Sequence, residues 1–350
     1  MSQNTQYVKD QPAGFNNKIQ NVAIIGASGQ MGGHIVVELL KNPQFKITAL
    51  TRKGSKSQMP EGIHNVVDVD YDQQQSIVDA LKGQDILITT LATTAPRDLP
   101  NKLVDAAVEA GVRWYIPNDW GLDFSNNQSA KEETFIGVGK EQHNKYAHSK
   151  GLPWTAIGNG FWYEWSLSGG IQMFGIDIKS RKANFYGNGK VPQSTSTWRH
   201  SARAVATFLA LPILPQDQND TKVTMSKWRD AYLNVQSFHL DQRQMLDAVQ
   251  KVTNTTDADW EINDANVQEI WKEGSDRLKQ GDMTAFAVSL YSRTFFPDHP
   301  ADNDEKCKEE MKLLGLAEDE SLEDATKRTV QMAEGSYVQN FFAKLYTSGN

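Results

Sequence analysis

The stretch that decides the fold is Asn21 to Asn42, NVAIIGASGQMGGHIVVELLKN. Its apolar run from Val22 to Ile25 has the length and composition of a buried strand. The turn after it carries Gly26, Gly29 and Gly32 at three-residue spacing, and Ile35, Val36, Leu39 and Leu40 then recur at helical spacing. Strand, glycine turn and helix together form a phosphate site. The glycines let the backbone approach a pyrophosphate, and the free N–H groups at the helix start, those of Ser28, Gln30 and Met31 among them, can bind its charge. A ligand-free strand–helix turn is the alternative, and the position of the triplet near the start of a βαβ chain argues against it.

Outward from this unit the first half alternates strands with helical patterns. Phe45 to Thr51, Val66 to Val69, Asp85 to Leu91, Val112 to Ile116 and Trp154 to Ile157 read as strands. Gln73 to Leu81, Leu99 to Ala110 and Lys140 to Lys150 read as helices, the last closed by Gly151 with Pro153 beyond it. Asn118 to Gly139 has no clear period. The expected fold is α/β, a doubly wound parallel Rossmann sheet whose ligands sit at the strand C-terminal ends. From about Asn159 the pattern changes to an aromatic cluster, a hairpin-like segment at Ala183 to Lys190 and mostly helix, with Leu240 to Val252, Val267 to Leu278 and Glu323 to Tyr346 the clearest. This predicts a polar N-terminal arm over residues 1–18, a nucleotide domain over 19–158 and a smaller, mainly helical substrate-binding region over 159–350.

Composition narrows the function. With 39% hydrophobic and 23% charged residues among 350, the chain can build a core. A net charge of −7 argues against a nucleic-acid surface spread over the whole protein. The single cysteine, Cys307, allows no intrachain disulfide and no cysteine-rich metal site, and no metal-ligand spacing stands out. No apolar run approaches the roughly 20 residues of a membrane span, and the N-terminus resembles neither a signal nor a transit peptide. The expectation is a cytoplasmic protein with a small-molecule substrate, no nucleic-acid or membrane partner, and homodimerisation left open.

The end of the second strand selects the nucleotide. NAD-preferring folds usually place an acidic residue there for the ribose 2′-OH, whereas this chain reads Thr51-Arg52-Lys53 with Lys56 close behind. A guanidinium can hold a 2′-phosphate by charge-assisted hydrogen bonds, so Arg52 and Lys53 point to NADP(H); a solvated basic cluster is the alternative. Asp70 lies either against the adenine or in a helix N-terminal turn. At the cleft, Thr89, Thr90 and Thr93 follow the fourth strand, and Asn118, Asp119 and Trp120 follow the fifth and are expected to face the nicotinamide. Phe161, Trp162, Tyr163, Trp165 and Trp198 form either an aromatic substrate pocket or core.

Tyr146 and Lys150 have the Tyr-x-x-x-Lys spacing of short-chain dehydrogenases, but helix direction argues against them and for surface positions. Lys150 precedes the turn into the sixth strand, at the end of the helix away from the cofactor. Lys140, ten residues earlier and so about 15 Å nearer, is at the correct end. It can act as general acid or base, bind the nicotinamide ribose, or be an ordinary exposed lysine.

The glycine loop GASGQMG, the basic TRK, the IPNDWG segment, the spacing from Lys140 to Gly151 and GLPWTAIGNGF together resemble the NmrA-like atypical short-chain dehydrogenases. Within them they are most similar to the isoflavone reductase-like and phenylcoumaran benzylic ether reductase branch and its fungal relatives. The resemblance runs from about Asn21 to Leu211. It implies an NADPH-dependent reductase in which Lys140 matches the catalytic lysine, Gly26, Gly29 and Gly32 the phosphate loop, and Arg52 the 2′-phosphate ligand. Two departures point away from isoflavone or lignan substrates: Pro117-Asn118-Asp119-Trp120-Gly121 stands where plant members have Pro-Ser-Glu-Phe-Gly, and Asn144 where they have Arg. Fungal members imply secondary metabolism and a ketone, enone or imine substrate. The reading from a different class is a non-catalytic NADP(H) sensor of the NmrA type that regulates a partner protein; Lys140 and the aromatic cluster favour the enzyme.

Overall fold

The computed structural model describes residues 6–317 and 319–347. The apolar run at 22–25 becomes β1 (Asn21–Ile25), whose last four residues are buried. It is followed by α1 (Gln30–Leu40), β2 (Lys46–Arg52), β3 (Asn65–Val69), α2 (Gln74–Leu81), β4 (Ile86–Thr89), α3 (Leu99–Glu109), β5 (Trp114–Ile116), α4 (Gln128–Glu133), α5 (Gly137–Ser149) and β6 (Thr155–Gly158). Five strands form a parallel sheet in the order β3-β2-β1-β4-β5. β6 continues it beside β5, through a parallel bridge from Tyr115 to Trp154 and a 2.9 Å bond from the Tyr115 N–H to the Pro153 carbonyl. The order reverses between β1 and β4, which opens the crevice where such sheets bind nucleotides.

The rest of the chain holds β7 (Phe161–Trp162), α6 (Tyr163–Ser168), β8 (Ile176–Asp177), β9 (Lys182–Tyr186), β10 (Gln193–Ser196), α7 (Trp198–Ala210), β11 (Ala231–Asn234), β12 (Phe238–Leu240) and α8 (Gln242–Thr253). Then come β13 (Glu261–Ala265), α9 (Val267–Lys279), α10 (Phe286–Arg293), α11 (Asp304–Leu314), α12 (Leu322–Glu334) and α13 (Tyr337–Thr347). A division at residue 158 cuts across the sheet and its helical layer. β11 pairs parallel with β6 over four residues, and α7 packs beside α1 on one face of the central sheet. The other face is covered by α2, α3 and α5. A separate aromatic core, built around Tyr163, Phe174, Tyr291 and Phe295, holds the remaining strands and helices together. The N-terminal residues described, 6–18, lie along the chain after α7: the Val8 N–H bonds the Pro215 carbonyl, and Asn17 exchanges two side-chain bonds with Leu214. Residues 1–5 of the predicted arm lie outside the described residues.

Three predicted elements differ in detail. The hairpin is displaced: β9 pairs antiparallel with β8 before it and parallel with β13, so the turn precedes Ala183 rather than following it. The helix expected over Glu323 to Tyr346 is two helices, because Ser336 takes a left-handed φ of 50° between them. The aperiodic stretch Asn118 to Gly139 contains α4, N-capped by the Asn127 side chain, and α5 starts three residues earlier than read.

Phe208 on α7 is fully buried, edge-on to both Trp114 of β5 and Trp228. Phe208→Ala is therefore expected to lower the unfolding free energy by about 3–5 kcal/mol, measured by urea denaturation. A loss under 1 kcal/mol would mean that α7 is not part of the layer covering the sheet.

Candidate active site

The glycine loop is shaped by sterics. Gly26 has φ +84°, and a Cβ there would lie 2.2 Å from the Thr90 carbonyl oxygen. A Cβ on Gly32 would lie 2.1 Å from the Gly26 carbonyl oxygen. The end of β1, the first turn of α1 and the end of β4 thus meet at distances that only glycine allows. Thr90 supports the contact, its hydroxyl reaching the carbonyls of Ile25 at 2.9 Å and Gly26 at 3.1 Å. It buttresses the loop rather than standing free beside it. Gly29 is the N-cap of α1, and no side chain caps the helix, so its first N–H groups are open to an anion. Ser28 is exposed at the loop tip. Met31 is 5% exposed and packs into the core, leaving only its backbone for a ligand, while the Gln30 amide donates to the Tyr337 hydroxyl of α13.

Arg52 and Lys53 close β2 in exposed positions, and among the described residues no carboxylate pairs with either. Asp70 takes the second of its two readings: its carboxylate accepts the Asp72 N–H at 3.1 Å and its carbonyl the Gln73 N–H, forming the turn before α2.

The strand ends beyond the loop hold a buried cluster. Asp119 is 2% exposed. One carboxylate oxygen, Oδ1, lies 2.7 Å from Lys140 Nζ, an ion pair off the line that a directed hydrogen bond needs. The other, Oδ2, accepts from the Tyr232 hydroxyl at 2.6 Å and from Asn144 Nδ2 at 3.1 Å. Burial, with Asp119 beside it, pushes the Tyr232 phenol far above its ordinary range, so it stays protonated and donates its hydrogen bond to the carboxylate. Lys140 sits in the first turn of α5, and its Nζ lies 3.4 Å from where a Cβ on Gly121 would be. Gly121, at φ +153°, thus leaves space at the ammonium.

Of Asn118, Asp119 and Trp120, expected to face the nicotinamide, Asn118 is exposed, Trp120 partly exposed and Asp119 buried. Asp119 is enclosed by its partners. Asn118 accepts the Leu91 N–H at 2.9 Å and donates to the Leu91 carbonyl, tying the ends of β4 and β5, and Trp120 Nε1 donates to the Thr89 carbonyl at 2.9 Å. Of the aromatic cluster, Phe161 stacks on Tyr291 at 4.1 Å inside the second core, and Tyr163 and Trp198 are buried too. Trp162, 6.2 Å from Trp198, and Trp165 remain partly exposed. Tyr146 and Lys150 both bind Asp105, at 2.8 and 2.9 Å, away from the strand ends. The sequence reading missed Tyr232 and the role of Asn144. Asn144 could have been found, one helical turn after Lys140 on the same face. Tyr232 is 113 residues from Asp119 and carries no local signal.

Gly32→Ala drives a methyl group into the Gly26 carbonyl. It is expected to weaken NADP⁺ binding at least tenfold and to lower the melting temperature, read by calorimetric titration and a thermal scan. Unchanged affinity would remove this loop from the nucleotide site.

The comparisons agree with this geometry. Residues 26–183 match the family model described as NAD(P)H-binding. An oxidoreductase of Aspergillus flavus, aprR, is 29% identical over 274 residues, covering 77% of this chain and 85% of that protein. The asnovolin J 5′,6′-dehydrogenase nvfM of Aspergillus novofumigatus is 26% identical, covering 78% and 81%. Among solved structures, an isoflavone reductase superposes with a TM-score of 0.64 at 18% identity, covering 81% of this chain and 90% of that one. AtPrR2, solved with NADP⁺ and (+)-pinoresinol, superposes with a TM-score of 0.62, also at 18% identity, covering 87% and 100%. Among the described residues no helix is long and apolar enough to cross a membrane. Residues 26–183 thus carry an NAD(P)H-binding domain in a Rossmann-like fold, and the chain is similar to fungal oxidoreductases and to isoflavone reductase homologues.

Proposed function

We propose that the chain is an NADPH-dependent reductase of a small, partly apolar metabolite, a ketone, enone or imine, with Lys140 as its catalytic residue. The observation that carries this reading is the Lys140–Asp119 pair, held at the strand ends with space at Gly121 beside the ammonium. The open N–H groups of α1 fit a pyrophosphate, and the unpaired guanidinium of Arg52 fits a 2′-phosphate. The nicotinamide, when bound, supplies hydride. Lys140 then donates a hydrogen bond, and finally a proton, to the substrate oxygen or nitrogen that gains charge. Asp119 orients the ammonium, while Tyr232 and Asn144 hold the carboxylate through its second oxygen. Trp162, partly exposed at the end of β7, is the aromatic best placed to meet an apolar substrate. The two fungal relatives named as an oxidoreductase and a dehydrogenase favour an enzyme over the non-catalytic sensor.

Lys140→Ala is expected to reduce NADPH turnover at least a hundredfold, the scale of general-acid catalysis, while the Kd for NADPH stays within twofold. Tyr232→Phe is expected to lower kcat several-fold with that Kd unchanged. Full turnover in Lys140→Ala would end the catalytic assignment. If a broad panel of ketones, enones and imines oxidises no NADPH and a protein partner responds to NADP(H), the sensor reading holds instead. Arg52→Glu tests the nucleotide: the preference for NADPH over NADH is expected to fall at least tenfold, as the loss of one charge-assisted bond implies. An unchanged preference would make the basic cluster a solvated surface.

A further inference from the structure

On the far side of the Asp119 cluster lies a cavity of about 590 Å³, between α5, the edge strand β11 and α11. Neither Lys140 nor any residue of the glycine loop lines it, but Asn144 and Tyr232 do. These are the two side chains that hold Asp119 Oδ2. We propose that this cavity is a second small-molecule site, taking a planar aromatic molecule, and that its occupant acts on Lys140 through Asp119. The regulatory half of the proposal rests on the catalytic reading of Lys140; the binding half does not.

The volume falls in the range of ligand pockets, roughly 300–1,000 Å³. Phe124, Trp154, Trp228 and Tyr232 supply aromatic surface, with Tyr232 edge-on to Trp154 at 6.2 Å. Most charged groups of the wall are paired, Lys131 and Lys145 with Glu141 at 3.1 and 3.3 Å, Lys306 with Asp123 at 2.6 Å and His148 with Asp230 at 2.9 Å, while Lys227 lies over the Trp228 ring at 6.0 Å. Glu310 accepts the Asn234 N–H, and burial raises its carboxyl above the ordinary range. An apolar ring can enter against the aromatic wall without breaking these pairs. Three buried polar atoms of lining residues, Asn144 Oδ1, Trp154 Nε1 and Trp228 Nε1, have no partner among the described residues. Asn144 donates to Asp119 through Nδ2. Asn144 and Trp154 are more than nine-tenths buried. A ligand hydrogen-bonded to Asn144 or packed on the Tyr232 ring shifts groups that set the position of the Asp119 carboxylate, and with it the ammonium 2.7 Å away.

The test uses 2-naphthol as probe and the full chain saturated with NADP⁺. Calorimetry is expected to show one site, weakened at least tenfold by Ala231→Phe, which fills the cavity from β11, with NADP⁺ affinity unchanged. Lys145→Trp, from the opposite wall, should do the same and stands in if Ala231→Phe does not fold. Lys140→Ala should bind 2-naphthol undiminished, so this measurement reads the site whether or not the reductase reading survives. In the turning-over enzyme, saturating 2-naphthol is expected to change kcat at least twofold without raising the KM for substrate. Binding insensitive to both filling variants, or absent, overturns the site. A rise in substrate KM alone places the probe in the catalytic cleft and overturns it equally, and an unchanged kcat with binding intact overturns the coupling.

Discussion

A carboxylate taken out of water must be matched, and the matching of Asp119 organises the end of the sheet. Its own loop follows β5, but its partners come from α5 and from β11. Removing one partner from such a pair costs about 3–5 kcal/mol, because the other charge stays buried. The same carboxylate thus fixes the lysine, the angle of α5 and the docking of a strand that arrives more than a hundred residues later. Structural and chemical demands fall on one group.

The cofactor end is built by the opposite means, the absence of side chains. Gly26 and Gly32 bring backbone against backbone, and Thr90 closes the contact with a hydroxyl. Such an arrangement is local in sequence: strand, turn and helix follow within twenty residues, and the spacing itself encodes the steric requirement. This is why the nucleotide loop and the parallel sheet were legible from residues 21–42 outward. The direction of α5 was legible for a similar reason, since helix polarity in a βαβ unit follows from connectivity alone. It separated Lys140 from Tyr146 and Lys150, which the structure ties to Asp105 on α3.

What stayed hidden depends on contacts between distant segments. The sequence reading has no strand over Ala231–Asn234, and nothing near Tyr232 marks it as the partner of Asp119. α7 lies after the aromatic run, yet it packs beside α1, so a boundary drawn from the change of pattern near Asn159 separates pieces of one layer. Aromatic clustering misled for a related reason. Phe161 and Tyr163 alternate with Trp162 along the chain, and the first two point into cores while the third is partly exposed. Composition marks such a run as important without saying which side faces a ligand.

The position of Asp119 between two hollows follows from the same geometry. Oδ1 faces the lysine at the strand ends; Oδ2 faces the side chains that wall the cavity beside β11. A rigid aspartate held from one side only could position Lys140 without being sensitive to anything else. Held from both, it transmits displacement, because a carboxylate is planar and its two oxygens move together. Asn144 sharpens this. Its neutral amide leaves Asp119 with one cationic partner among the described residues, Lys140. The balance of the cluster then depends on a single ammonium and on the neutral groups that share the carboxylate with it.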